Sequence, residues 1–199
     1  DRKEMLDEKI VDTDPARLLI ASSNALGHGL MDNITSVVLV KPESFSMDNN
    51  VAIAAKYALE RHNLQRVAIV DFDVHHGNGT EDIVKGDERI LMVSFYQHPF
   101  YPLDWEHSDA PNLVNLPVPA YTKGMDIREM IEAAWMPRLE AFEPELILIS
   151  AGFDAHREDD MGQLGLVESD YAWMTGRIMD VARRHAQGRV ISCLEGGYV

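Results

Sequence analysis

The 199-residue chain has a single cysteine, Cys193. One thiol excludes an internal disulfide and makes a reducing compartment, the cytoplasm, the expected setting. Positive charge is scarce: 18 Lys and Arg stand against 33 Asp and Glu, a formal net charge of −15. The basic residues form nothing denser than pairs such as Arg183-Arg184. That excludes nucleic acid as the main partner, because phosphate contacts need clustered Lys and Arg. No apolar run approaches the ~18–20 residues of a membrane-spanning helix. The opening DRKEMLDEK is charged throughout and cannot serve as a secretory signal. Internal repeats and low-complexity tracts are missing as well. What is present, 46% hydrophobic and 26% charged residues, is an ordinary globular composition. The length suits one domain, at about 150 residues per domain. A homo-oligomer stays open.

Apolar runs and helical stretches alternate after residue 35. SVVLVK at 36–41 reads as a buried strand and NNVAIAAKYALERH at 49–62 as an amphipathic helix. RVAIVDFD at 66–73 is the next strand, followed by a short helix after Gly77-Asn78-Gly79. ILMVSF at 90–95, LILISA at 146–151 and RVISCL at 189–194 complete the strands, with helices expected at about 125–142 and 169–187. A proline-rich stretch over 97–123 reads as a functional surface loop. Residues 15–30 read as a helix broken or ended by Gly27 and Gly29. Strands separated by helices describe βαβ units, hence an α/β fold with a mostly parallel sheet and helices on both faces.

In such sheets, ligands bind at the carboxyl ends of the strands. Three of those ends carry chemistry: Asp71-Phe72-Asp73-Val74-His75-His76-Gly77, Gly152-Phe153-Asp154-Ala155-His156, and Glu195-Gly196-Gly197-Tyr198. Asp73 and His75, one residue apart in an extended segment, point to the same side. With Asp154 they would make a three-ligand metal site, which leaves a position open for water and substrate. Tyr198, a phenol on a glycine-rich turn, could donate a hydrogen bond to a developing oxyanion.

Each residue also has a plainer reading. An Asp at a strand end is commonly a turn former or helix cap, and Asp154 alone would read that way. His62, His107 and His185 read as surface or helix-terminal, and His28, between two glycines, as a turn residue. Cys193 reads as a small core residue, and the methionines, Trp135 and Trp173 as packing. Asp-x-Asp-x-His-His-Gly resists such a reading. Two carboxylates and two imidazoles crowded at one strand end would repel or desolvate one another without a cation.

The run VAIVDFDVHHGNGTEDI at 67–83 resembles the signature of the zinc-dependent histone deacetylase superfamily, which includes bacterial histone deacetylase-like amidohydrolases and acetylpolyamine amidohydrolases. ELILISAGFDAHREDDMGQLGL at 145–166 and GRVISCLEGGY at 188–198 resemble two further blocks, in the same order. With the Asn-Asn helix the resemblance spans 36–198 and is nearest the class II-like branch. It implies a three-layer α/β/α sandwich of the arginase/deacetylase type. It also implies that Asp73, His75 and Asp154 hold Zn2+, or Fe2+, and that Tyr198 polarises the acetyl carbonyl. Asp71 would support a catalytic histidine and join a structural K+ site with Asp73, His75, Ser94 and Phe95. Phe100 and Tyr101, with Gly196 and Gly197, would line the acyl-lysine tunnel. Substrates would be acetylated lysine proteins or acetylpolyamines.

One departure is large. Family members follow the strand corresponding to SVVLVK with a block containing tandem histidines, which act as general base and acid. Here Lys41-Pro42 runs through ESFSMD straight into Asn49-Asn50, and no histidine lies between His28 and His62. The chain is also short of the family at both ends. Two expectations follow: a naturally shortened relative, or a sequence from which one loop has been dropped. The intact remaining motifs favour the second. Three functions are therefore weighed: a zinc-dependent deacetylase, a catalytically inactive metal- or ligand-binding relative, and an arginase-like ureohydrolase enlisting His76 and Asp71.

Overall fold

A computed structural model describes residues 50–103 and 108–198 in full. It also describes the backbone of three strands, β1 (Val11–Thr13), β2 (Ala16–Ser22) and β3 (Ser36–Val40). The later elements are α1 (Asn50–Arg61), β4 (Val67–Asp71), α2 (Asn78–Val84), β5 (Ile90–Gln97) and β6 (Leu113–Val118). Then come α3 (Gly124–Met130), a π-helical turn (Ile131–Trp135), α4 (Met136–Phe142), β7 (Leu146–Ala151), α5 (Glu168–His185) and β8 (Val190–Leu194).

The strands form one sheet in the order β1-β2-β3-β8-β7-β4-β5-β6, parallel except for the β1–β2 pair. Strand residues alternate between two cores. Val67, Ile69, Ile90, Met92 and Leu148 pack under α1. Ala68, Val70, Leu91, Val93 and Ile149 pack under α3 to α5. Both faces are buried, which is why these strands read as unbroken apolar runs. The helices supply matching stripes: Val51, Ala55, Ala58 and Leu59 on α1, and Tyr171, Met174, Ile178, Val181 and Ala182 on α5. Acidic Glu168 and Asp170 open α5 while Arg183, Arg184 and His185 close it, both favourable to the helix dipole. The result is the expected three-layer α/β/α arrangement.

Three local expectations are corrected. The segment expected as a helix from residue 15 is strand β2 over Ala16–Ser22, because a short apolar run suits a buried parallel strand as well as a helix. The remainder of that expected helix, with His28, lies outside the described residues. The expected loop over 97–123 contains β6, an edge strand whose Pro117 is exposed, as an edge position permits. The helix expected over 125–142 is interrupted by a π turn that ends at the buried Trp135. Trp135 stacks on Phe95 at 5.8 Å between ring centroids.

Strand order decides where the site lies. From β4 the chain moves outward through β5 and β6, then returns beneath the sheet to β7 on the other side of β4. The boundary between β4 and β7 is thus a topological switch point, where loops leave in opposite directions and open a crevice.

Candidate metal centre

The three chemically rich loops follow β4, β7 and β8, which are adjacent in the sheet. Their pairing continues past the strands. Phe72 N–H donates to Ser150 O, Glu195 N–H to Ala151 O, and Phe153 N–H to Gly196 O, at 2.9 to 3.2 Å. Loops far apart in sequence are thereby held side by side.

Strand β4 stops at Asp71, earlier than the run to residue 73 suggests, and the next residues are irregular. Asp73 and His75 still face the same way, but two side-chain turns place them there. Asp71 Oδ1 accepts the Asp73 N–H at 3.0 Å, and Asp73 Oδ1 accepts the His75 N–H at 2.8 Å. Asp154 Oδ1 accepts the Val74 N–H at 2.9 Å, and Asp73 Oδ2 accepts the Gly196 N–H at 3.0 Å.

These bonds leave one donor atom each from Asp73, His75 and Asp154 within 4.8 Å of one another. His75 Nδ1 lies 2.9 Å from Asp73 Oδ1 and 3.2 Å from Asp154 Oδ2. Asp154 is fully buried, and its Oδ2 has no aligned hydrogen-bond donor. An orphaned buried carboxylate oxygen is costly unless a cation meets it. Two carboxylates and one imidazole beside a steric cradle give three N/O donors of the types that bind Zn2+, the number that leaves a catalytic position open. The cradle is Gly196, where a Cβ would overlap Asp154 Oδ2 and come within 2.7 Å of Asp73 Oδ2.

Electrostatics tell the same story. Burial pulls the His75 imidazole down, but the carboxylates of Asp154 and Asp73 close beside it outweigh that and push it up to about 9. Burial holds Asp154 above the ordinary carboxylate range. Burial would raise Asp73 too, but His75 hydrogen bonding brings it below that range. A proton on His75 thus stands where a cation's charge is wanted. Asp71 is pushed well up by burial, and its charged neighbours Asp73, Glu195 and Asp154 are all acidic.

Other expected residues fall around this centre. Phe100 stacks on the His75 ring at 5.1 Å, and Tyr101 meets it edge-on at 6.2 Å. Gly197 follows the cradle glycine and sits against Phe153. Ser94 pairs with Asp71 across β4 and β5, with Phe95 next along the strand. The Ser94 hydroxyl donates to Asn115 Oδ1 at 2.8 Å. Tyr198 is held through its N–H, which donates to Asp159 Oδ2 at 2.7 Å. Burial and the nearby Asp154, Asp73, Asp159 and Glu195 raise its phenol, keeping it a proton donor. A cavity of about 430 Å3 adjoins the centre through Phe153 and Gly197, with Tyr171 and His156 also in its wall.

His76 does not join the group, although the sequence places it in the same crowd. Its ring turns into the protein and meets Glu81 Oε2 at 2.9 Å. Neither Glu81 nor Asp159 stood out in the sequence, since single acids in a chain this acidic carry no signal. Cys193 is buried in β8, as a core reading requires, and Trp135 is buried likewise. Trp173 is partly buried, beneath the Arg128 guanidinium at 5.3 Å. His62 lies at the end of α1 and His185 at the end of α5. His107 and the 41–49 segment lie outside the described residues.

Comparison with known proteins places the chain in a family. A histone deacetylase domain matches residues 40–199. A type-2 histone deacetylase of Dictyostelium discoideum is 40% identical over 169 residues, covering 78% of this chain and 10% of that protein. A histone deacetylase-like amidohydrolase of Pseudomonas aeruginosa is 34% identical over 200 residues, covering 92% of this chain and 52% of that protein. The solved HDA15 HD domain superposes with a TM-score of 0.75 at 30% identity, over 83% of this chain and 52% of that one. The chain thus spans less than two thirds of the length of these relatives. With the domain match running over four fifths of its length, the chain belongs to the histone deacetylase family.

Proposed function

We propose that this chain is a metal-dependent amidohydrolase removing acetyl or other acyl groups from lysine side chains or from acetylated polyamines. The observation that carries the reading is the convergence of Asp73, His75 and Asp154 donor atoms at the β4/β7 switch point. Zn2+ suits the set, and Fe2+ would also be accepted by one imidazole and two carboxylates. A bound divalent ion would polarise the acyl oxygen and acidify a water at neutral pH.

The chain's own residues do the remaining work. Phe100, stacked on His75, and Tyr101 give the acyl group an apolar wall. Tyr198, a largely exposed phenol raised further by partial burial and by the surrounding carboxylates, donates to the developing oxyanion. The net charge of −15 draws cationic substrates inward. A K+ ion at Asp71, with Asp73, His75, Ser94 and Phe95, belongs to the same reading, in which the acidic neighbours Asp73, Glu195 and Asp154 would favour a cation. A cytoplasmic setting fits the lone, buried thiol of Cys193.

A second reading is a relative that binds metal and ligand without turnover. It is favoured by the lack of any histidine between His28 and His62. A general base contributes about 10²–10⁴-fold, so its loss would leave only slow hydrolysis. Hydrolysis of a fluorogenic acetyl-lysine peptide and of N-acetylputrescine, before and after chelation, separates the readings. Chelator-sensitive turnover supports the hydrolase. One bound metal per chain without turnover supports the binding protein, and turnover indifferent to chelation refutes the metal mechanism.

A further inference from the structure

Beside the centre lies a buried polar network that the proposed chemistry does not use. Glu81, in the first turn of α2, is fully buried. Its Oε1 accepts the Ser108 N–H at 2.8 Å, while its Oε2 accepts Asn115 Nδ2 at 2.8 Å and lies 2.9 Å from His76 Nε2. A carboxylate only accepts, so the last bond places a proton on Nε2. Asn115, on β6, is itself held by the Ser94 hydroxyl from β5 at 2.8 Å. The His76 ring packs on Tyr96, 4.4 Å between centroids.

A buried carboxylate with no Lys or Arg among these partners is expensive to keep. Its effect is geometric. His75 and His76 share one peptide unit, so clamping the His76 ring fixes the backbone from which the His75 ring projects. The next residues are held too: Asn78 N–H donates to His76 O at 2.8 Å, and Glu81 N–H to Gly77 O at 2.9 Å. The clamp ties β5, β6 and α2 to the single imidazole of the ligand cluster.

Resting on the metal-centre reading above, we propose that Glu81 is the positioning residue of this centre, setting the His75 ring angle through His76. A group bonded directly to a ligating side chain typically contributes about 10–100-fold in affinity. Glu81 acts one residue further out, through the His76 ring and the shared peptide, so its effect belongs at or below the lower end. Glutamine cannot replace Glu81 neutrally, because all three of its partners donate and the new amide N–H2 would face one of them.

The test titrates the full chain with Co2+, and with Zn2+ by competition, following the visible Co2+ bands and thermal stability together. Glu81→Gln and Glu81→Asp are compared with Val181→Ala, a core truncation in α5. Both Glu81 variants should bind Co2+ more weakly, by up to about 10-fold, with altered band intensities, while Val181→Ala lowers Tm and leaves affinity and bands unchanged. Wild-type affinity and spectrum in both Glu81 variants, whatever their Tm, would overturn the proposal. If Glu81→Gln does not fold, Glu81→Asp decides by the same criterion. A wild-type chain that binds no Co2+ refutes the metal centre itself, an outcome distinct from failure of the variants to differ.

Discussion

The Gly196 N–H donates to Asp73 Oδ2 at 3.0 Å, joining a backbone atom after β8 to a carboxylate after β4. The approach is possible only because residue 196 has no side chain: a Cβ there would overlap Asp154 Oδ2. Gly196→Ala should therefore displace both carboxylates and abolish tight metal binding while the sheet stays folded. Far-UV circular dichroism and Zn2+ titration check this together. A variant that binds Zn2+ normally would show that the two carboxylates do not share one site.

Metal should stabilise the protein through Asp154. A ligand that binds only the folded state at a hundred times its Kd adds about 2.7 kcal/mol. Tm should rise on adding Zn2+ to the wild type and fall back on chelation. Asp154→Asn keeps an acceptor for the Val74 N–H but supplies a poor ligand, so its Tm should not respond. An equal Zn2+ response in Asp154→Asn would remove Asp154 from the ligand set.

Asp87 makes the acid limb of stability steep. Its carboxylate binds the Arg89 guanidinium at 2.9 to 3.0 Å and Lys56 Nζ at 2.7 Å, tying α1 to the turn before β5. The Arg89 hydrogen bonds, aided by Lys56, hold it below the usual carboxylate range. A depressed folded pKa contributes stability that is present above the unfolded value of about 3.9. That stability is lost as pH falls through the folded value. The Tm gap between wild type and Asp87→Asn should be widest near neutrality and close below about pH 4. A gap independent of pH would show that the ion pairs contribute nothing.

Cys193 should be inert in the native protein. Burial, with Glu195 nearby, pushes its thiol up to about 12, so almost no thiolate exists at pH 8. Reaction with an aromatic disulfide reagent should be slow in buffer and fast in guanidinium. Equal rates would place Cys193 at the surface.

Much of this was legible along the chain. Apolar runs at 36–41, 66–73, 90–95, 146–151 and 189–194 announced β3, β4, β5, β7 and β8; for β4, β5 and β7 the mark is that of a strand buried on both faces. LVNLPV at 113–118 left a weaker one, because an edge strand needs burial on fewer sides and tolerates Pro117. Residues 16–22 misled because a short apolar run has no period long enough to separate strand from helix. The types and spacing of Asp73, His75, Asp154 and Tyr198 carried the chemistry, and the three motif blocks carried the family.

The fold decided where those residues lie. Local sequence determined which segments were strands and which side chains could ligate, because periodicity and residue type act over a few residues. It did not determine that β4, β7 and β8 lie side by side, since long-range pairing chooses among strands of nearly equal hydrophobicity. Nor did it separate His75 from His76, identical neighbours in the chain. Only packing sends one imidazole to two carboxylates and its neighbour to Glu81, through backbone turns and a buried acid whose partners lie five to 34 residues away.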